Sequence, residues 1–444
     1  MISVTNITAG IKQKCSPFVL MMILAFITGL ITGAAAFLLK HTVKWISLPL
    51  TSGMNASGAN WILLLAPVIG IMLTGIYQRY ILHKTIYHGT DRLQQSISAR
   101  KYSLPGDLTY APIVASTLTL GFGGSAGSEG PIAYTGAAIG SNIGRLFNAR
   151  PPLMKVLLAC GAAAGIAGIF KAPIGGALFS LEVLAVTLSV GAVLAVVLAS
   201  VTAGLTAYAL SGCIPDLIFH NATPFDWHWA PWILLLGIFC GLYSFYYAQI
   251  MILMRRWYNS MHNPWIKNLI SGSVLACLVF LFPPLFGEGY GFIGELLAGK
   301  TDALSSYSLF ASDAAFTLTP ILIAFGIIMV KAFACASTNS GGGVAGDFAP
   351  TLMAGCVAGF LFATSVNSLT SLSLPVADFA FFGMAAVMAG AIRAPFMAIF
   401  IAVEMAQTYE LLLPVTLTAT VSYLLVLGLR RLRHMPVTLP DNIN

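Results

Sequence analysis

The chain has 444 residues, of which 58% are hydrophobic and 8% charged, and Asp and Glu together number 15. A soluble surface of this extent needs far more charge, so the composition excludes a soluble fold and implies a polytopic membrane protein. The net charge of +7 is carried by basic residues scattered beside apolar segments, with no aromatic-interleaved basic stripe, which excludes nucleic acid as a partner.

In chain order, the first apolar run, Phe18 to Leu39, is long enough for a bilayer span of about 20 residues. It lacks a small-residue cleavage pattern after it and is too long for a signal peptide, so it is expected to be retained as the first span. Trp61 to Ile76 follows, and then the cluster Arg79, Lys84, Arg92, Arg100 and Lys101, assigned to the cytoplasmic side. Residues Gly123 to Pro131 read GGSAGSEGP, placing Glu129 alone among glycines just ahead of a proline. The Gly-rich stretch Ala133 to Ile143 is too brief to cross fully and predicts a broken or tilted helix buried in protein. Gly212 to Trp229 is a polar joint, and Trp227, Trp229 and Trp232 after it resemble an interfacial aromatic belt. Trp232 to Leu253 and Leu269 to Leu285 are further spans, GGVAGDFAP occupies Gly342 to Pro350, and Pro350 to Phe362 is again a short Gly-rich segment. The tail carries Arg430, Arg431 and Arg433, which puts both termini in the cytoplasm. The seven cysteines show no CxxC and the seven histidines no HExxH or His/Cys cluster, so neither a metal site nor a cofactor is expected.

Three blocks recur in the same order. Gly29, Gly33 and Phe37 align with Gly237, Gly241 and Phe245. Gly123, Gly124, Ala126, Gly127, Pro131, Gly136 and Gly140 align with Gly342, Gly343, Ala345, Gly346, Pro350, Gly355 and Gly359. Gly161, Ala164, Gly168, Ala172, Pro173 and Glu182 align with Gly383, Ala386, Gly390, Ala394, Pro395 and Glu404, with Lys171 facing Arg393. Small residues alone are ordinary packing surface in membranes, but conserved order means a duplicated unit. The division is a first repeat over 1–215, a linker over 216–229, a second repeat over 230–434 and a short tail over 435–444. Sequence identity does not say whether the repeats run parallel or inverted.

A proline opening a helix after glycines leaves several N–H groups unpaired, and the helix dipole adds about half a positive charge there. Two such termini facing each other form an anion cradle without a full cation, and the absence of Lys and Arg from both frames keeps the binding weak enough for release. The carboxylate of Glu129 is itself an anion: ionised it can occupy the cradle, protonated it can leave. The simpler alternative is a carboxylate that only caps its helix.

The segments GSEGPIAYTGAAIGSNIGR, FKAPIGGALFSLEV, GDFAPTLMAG and AIRAPFMAIFIAVEM resemble the CLC family of chloride channels and chloride/proton antiporters, over nearly the whole membrane domain and in the family's order. The resemblance implies an all-α polytopic membrane protein, a CLC-type inverted repeat of two halves with many tilted and broken helices, and a homodimer in which each protomer has its own pore. It implies an anion site made by Ser128, Gly130, Pro131 and Ile132 with Gly346, Asp347, Phe348 and Ala349, gated by Glu129. It places the protein in a lipid bilayer, in the inner membrane of a bacterial cell, with chloride or a similar small anion and protons as partners.

Three departures accompany it. The family's central serine is missing, and His88 and Thr90 stand nearest, as candidate anion ligands, with Asp91 beside them. Val183 stands at the family's internal glutamate position, which leaves Glu182 as proton-path candidate; its repeat as Glu404 favours a structural carboxylate paired with a helix end. Met435 is near the family's central tyrosine, and paired regulatory nucleotide-binding domains are not expected after the short tail. The loop Glu288, Gly289, Tyr290 and Gly291 is a loose counterpart of the His88 loop, and Lys171 and Arg393 are expected to anchor helix starts. The function expected is anion transport with coupling to protons left open, the alternative a fluoride-selective channel or fluoride/proton antiporter. A remote alternative is an intramembrane enzyme using Glu129 and Glu182, but no nucleophile with a partnered base is present, so the chain is not expected to be an enzyme.

Overall fold

The computed structural model describes residues 16–52, 60–86, 91–186, 189–214, 217, 219, 225–304, 319–370 and 372–432. His88, Thr90 and Met435 lie outside them. Among the described residues the regular secondary structure is all helical, apart from one isolated bridge. The first repeat holds α1 (Pro17–Thr51), α2 (Ile62–Ile76), α3 (Asp91–Ser98), α4 (Ala111–Gly121), α5 (Glu129–Leu146), α6 (Pro151–Phe170), α7 (Pro173–Leu178, continued as a π-turn over Phe179–Val183) and α8 (Val190–Leu210). The second holds α9 (Ala230–Asn259), α10 (Pro264–Leu281), α11 (Tyr290–Leu297), α12 (Thr319–Ser340), α13 (Phe348–Leu369), α14 (Val376–Ile392), α15 (Pro395–Met405) and α16 (Leu412–Leu432). Each helix of the second series takes the place of the one eight earlier, and the fold is that of a CLC-type inverted repeat.

Prolines and polar caps set many of the starts. Ser16 caps α1 by accepting from Val19 N at 3.3 Å, with Pro17 as the first helical residue, and Asn263 caps α10 ahead of Pro264. At 35 residues α1 is about 50 Å long, more than the hydrocarbon thickness of roughly 30 Å, so it is long enough to cross at a tilt. Among the described residues, nine helices are long and apolar enough to cross a membrane. One of them is α13, which corrects the expectation that Pro350 to Phe362 is too short. Its helix runs on through Ala363, Thr364 and Ser365 to Leu369, small and polar residues that an apolar run alone does not count. The expected span Leu269 to Leu285 instead ends at Leu281, where Phe282, Pro283 and Pro284 break the helix into a 3-10 turn.

The centre of each repeat is a Gly- and Ala-rich helix, α6 or α14, buried along nearly its whole length. Neither has a polar face, as a helix surrounded by protein requires. Close crossings explain the aligned glycines. A Cβ on Gly161 would lie 1.9 Å from Gly136 O, and one on Gly355 would lie 2.2 Å from Gly383 O, so α5 meets α6 and α13 meets α14 backbone to backbone. Lys171 and Arg393 end α6 and α14 in the left-handed conformation, with φ 53° and 65°. They are C-caps ahead of the Ala-Pro starts of α7 and α15.

Candidate anion site

The two glycine-rich turns touch. Gly127 N donates to Gly346 O at 2.9 Å and Gly346 N donates to Gly127 O at 2.6 Å, a two-bond antiparallel bridge between the halves. Only glycine permits this approach, because a Cβ on Gly346 would sit 2.7 Å from Gly130 N. Two threonines strap the turns from behind in a mirrored arrangement. Thr119 accepts from Gly124 N through its carbonyl at 2.9 Å and from Val344 N through its hydroxyl at 3.0 Å. Thr338 accepts from Gly343 N at 3.0 Å and from Ser125 N at 3.0 Å in the same two ways. Each hydroxyl crosses to the other repeat, so the turns are held relative to one another with their amides satisfied.

Beyond the bridge the chain enters α5 and α13, whose N-termini converge. Glu129, in the first turn of α5, is 1% exposed. Its Oε1 accepts from Phe348 N, and from Ala349 N at 2.9 Å. The carboxylate thus reaches across and occupies the amide donors of the opposite repeat. Its own helix is capped from the other side: Glu288, just before α11, accepts through Oε1 from Ser128 N at 2.9 Å and Ser128 Oγ at 2.5 Å.

Of the residues expected in the cradle, Ser128, Phe348 and Ala349 present donors in this way. Gly130 lies against the Gly346 backbone. For three others the amide is engaged elsewhere or absent. Ile132 N donates within its helix to Ser128 O at 3.1 Å, and Gly346 N is taken by the inter-turn bridge, while Pro131 has no N–H to offer. The carboxylate of Asp347 accepts from Asn339 Nδ2 and, at 3.5 Å, from Cys335 Sγ, which turns it toward α12. The Phe348 ring packs edge-on to Phe179 at 5.9 Å between centroids. His88 and Thr90 fall outside the described residues.

Glu182 and Glu404 form a second reciprocal pair. Glu182 accepts from Phe396 N at 3.3 Å and Met397 N at 2.8 Å, at the start of α15. Glu404 accepts from Ile174 N at 3.0 Å and Gly175 N at 2.8 Å, at the start of α7. Both oxygens of each are engaged, and each satisfies amides that begin a helix without its own side-chain cap. Val183 ends the π-turn that carries Glu182.

Sequence reasoning missed Thr119, Thr338 and Lys331, and it gave Glu288 no part in the site. Lys331 is fully buried in α12 and donates to Ser125 Oγ at 2.8 Å, placing one cation behind the first-repeat turn. It was visible as the lone charge in the apolar run of α12, a pattern that marks function in membranes. The threonines sit four residues before the first glycine of each turn, so the repeat alignment extended by four positions finds them.

The chain matches the family model described as Voltage gated chloride channel over residues 69–427. The voltage-gated ClC-type chloride channel ClcB of Salmonella typhimurium is 26% identical to it over 438 residues, 93% of this chain and 96% of that protein. The crystal structure of a slow cyanobacterial Cl-/H+ antiporter superposes with a TM-score of 0.75 at 22% identity, covering 94% of this chain and 96% of the other. A CLC-type fluoride/proton antiporter gives a TM-score of 0.69 at 24% identity, over 93% and 96%.

Proposed function

The chain belongs to the voltage gated chloride channel family, and from that premise we propose that it carries chloride across the membrane through the junction of the two glycine-rich turns, with Glu129 as the gate. Family membership makes it an anion-transport protein and not an enzyme. The observation that supports the gate is the seat of Glu129 Oε1 on the amides of Phe348 and Ala349. A carboxylate oxygen is an anion on donors suited to an anion, so it and a halide compete for one place. Protonation removes the charge that holds it there, which opens the path. Uncharged amides hold the ion without a contacting ammonium or guanidinium and let it go again.

Glu182 caps α15 with both oxygens, and valine follows it. A proton reaching Glu129 from the cytoplasm therefore needs a route other than residues 182 and 183. The same proposal includes an inner-membrane location with both termini cytoplasmic and pairing into a homodimer, as in the family the sequence resembles. The test is flux from liposomes loaded with chloride or with fluoride, with proton movement recorded at the same time. Chloride efflux exceeding fluoride efflux is expected. Efflux of fluoride alone would replace chloride as the substrate, and uphill proton movement driven by an anion gradient would make the protein an exchanger and not a channel.

A further inference from the structure

We propose that Glu288 is a second carboxylate gate, filling the donors of the first-repeat turn as Glu129 fills those of the second. The inference rests on the reading that these turns hold the transported anion. Three observations carry it. Ser128 directs both its N–H and its hydroxyl at the same Glu288 oxygen, at 2.9 and 2.5 Å, and two converging donors at the start of an 18-residue helix are an anion seat. The occupant comes from the opposite repeat, as it does for Glu129. Glu288 is also only half buried, so it has somewhere to go when it leaves, and Gly287 and Gly289, on either side of it, take φ of 69° and 84°, a turn that holds the carboxylate out from the start of α11.

Charged groups lie around it. Glu129 stands close enough for the two carboxylates to repel. The buried amine of Lys331 donates to Ser125 Oγ at 2.8 Å and attracts the Glu129 carboxylate. Lys40 of α1 lies 5.1 Å from the ring centroid of Tyr290, two residues beyond Glu288, and donates to Ile169 O at 3.2 Å. An ion approaching the Ser128 donors meets a carboxylate already on them, and must displace it before both repeats can hold the ion together. With both carboxylates seated, the path is shut twice.

A brace is the competing account: Glu288 would merely hold the Ser128 turn in shape. The two accounts separate through Glu288→Gln, whose amide oxygen can accept both Ser128 donors while the charge is gone. Full-length wild-type protein, Glu288→Gln, Glu288→Ala and Glu129→Gln would be purified, titrated with chloride by calorimetry, and assayed for chloride efflux from liposomes. If Glu288 is a gate, both substitutions lower the apparent chloride Kd by about tenfold or more, the scale set by one partly screened carboxylate a few ångströms from an anion, and both raise efflux at low chloride. Wild-type affinity in Glu288→Gln together with lost efflux in Glu288→Ala would establish the brace and overturn the gate, as would wild-type behaviour of both. A shift in Glu129→Gln with none in Glu288→Gln removes this inference alone. A wild-type protein that passes neither chloride nor fluoride removes the transport reading itself.

Discussion

Glu129→Gln tests the gate with the least disturbance, because glutamine keeps the length of the side chain and an oxygen that can accept from Phe348 N and Ala349 N. What changes is charge. Hydrogen bonds to an ionised acceptor contribute about 1.5–3 kcal/mol net against about 0.5–1.5 for neutral ones, so the two bonds to the start of α13 weaken together by about 2–3 kcal/mol. The ratio of seated to vacated side chain should fall roughly 30- to 150-fold, and it should no longer respond to protons. In chloride-loaded liposomes, the wild type should show efflux that changes with pH. Glu129→Gln and Glu129→Ala should both give efflux that is high and flat with pH, with no proton movement tied to it. The alanine control removes the acceptor altogether and so bounds the glutamine result. If both variants keep the wild-type pH profile, Glu129 is a helix cap and the gate must be sought elsewhere.

The straps, the bridge and the reciprocal caps each give a further expectation. Thr119→Val and Thr338→Val remove the hydroxyl acceptors of Val344 N and Ser125 N, and each should cost about 1–3 kcal/mol through one unsatisfied buried amide; thermal unfolding in detergent should find the two losses alike, and a loss in only one would contradict the mirrored arrangement. Gly346→Ala puts a methyl 2.7 Å from Gly130 N, which should cost about 1–3 kcal/mol as overpacking and abolish efflux, whereas an active variant would show that the turns can separate. Glu182→Gln and Glu404→Gln should each lower the melting temperature and leave the pH profile of efflux unchanged. A changed profile in Glu182→Gln alone would make Glu182 a proton carrier and not a cap.

The duplicated architecture was legible because it is written in small residues. Gly136 with Gly161, and Gly355 with Gly383, are close backbone crossings, and a position that excludes a Cβ marks itself in any sequence. The meeting of the two glycine turns was legible for the same reason. The partners across the repeats were not. Which amide a threonine hydroxyl accepts from, or which helix Glu404 caps, depends on the three-dimensional relation of segments more than 200 residues apart, and local pattern carries none of that information. Helix ends were misread where composition and burial diverge. In α13, Thr364 and Ser365 continue the helix although they interrupt the apolar run. The loop before α11 was seen as a loose counterpart of the one before α3, but only the geometry shows Glu288 reaching back to Ser128.

The crossed bonds follow from how the protein is divided. Helices that begin inside a membrane expose amides where no water is at hand, and each one left unsatisfied costs several kcal/mol. A helix cannot satisfy its own first turn with backbone, so the donors of α5, α7, α13 and α15 must be met by side chains. A carboxylate suits them, since one group accepts from two amides and its charge matches the dipole. In each case here the carboxylate comes from the opposite repeat: Glu288 to α5, Glu404 to α7, Glu129 to α13 and Glu182 to α15. These four interactions join the halves through the same contacts that satisfy the helix starts. Glu182 and Glu404 engage both oxygens. Glu129 and Glu288 repel one another across the bridged turns, and Glu129 Oε2 is buried without a hydrogen-bond partner. One pair of caps is therefore fully bonded, and the other leaves a buried carboxylate oxygen unmet, which is where the proposed exchange of carboxylate for anion would begin.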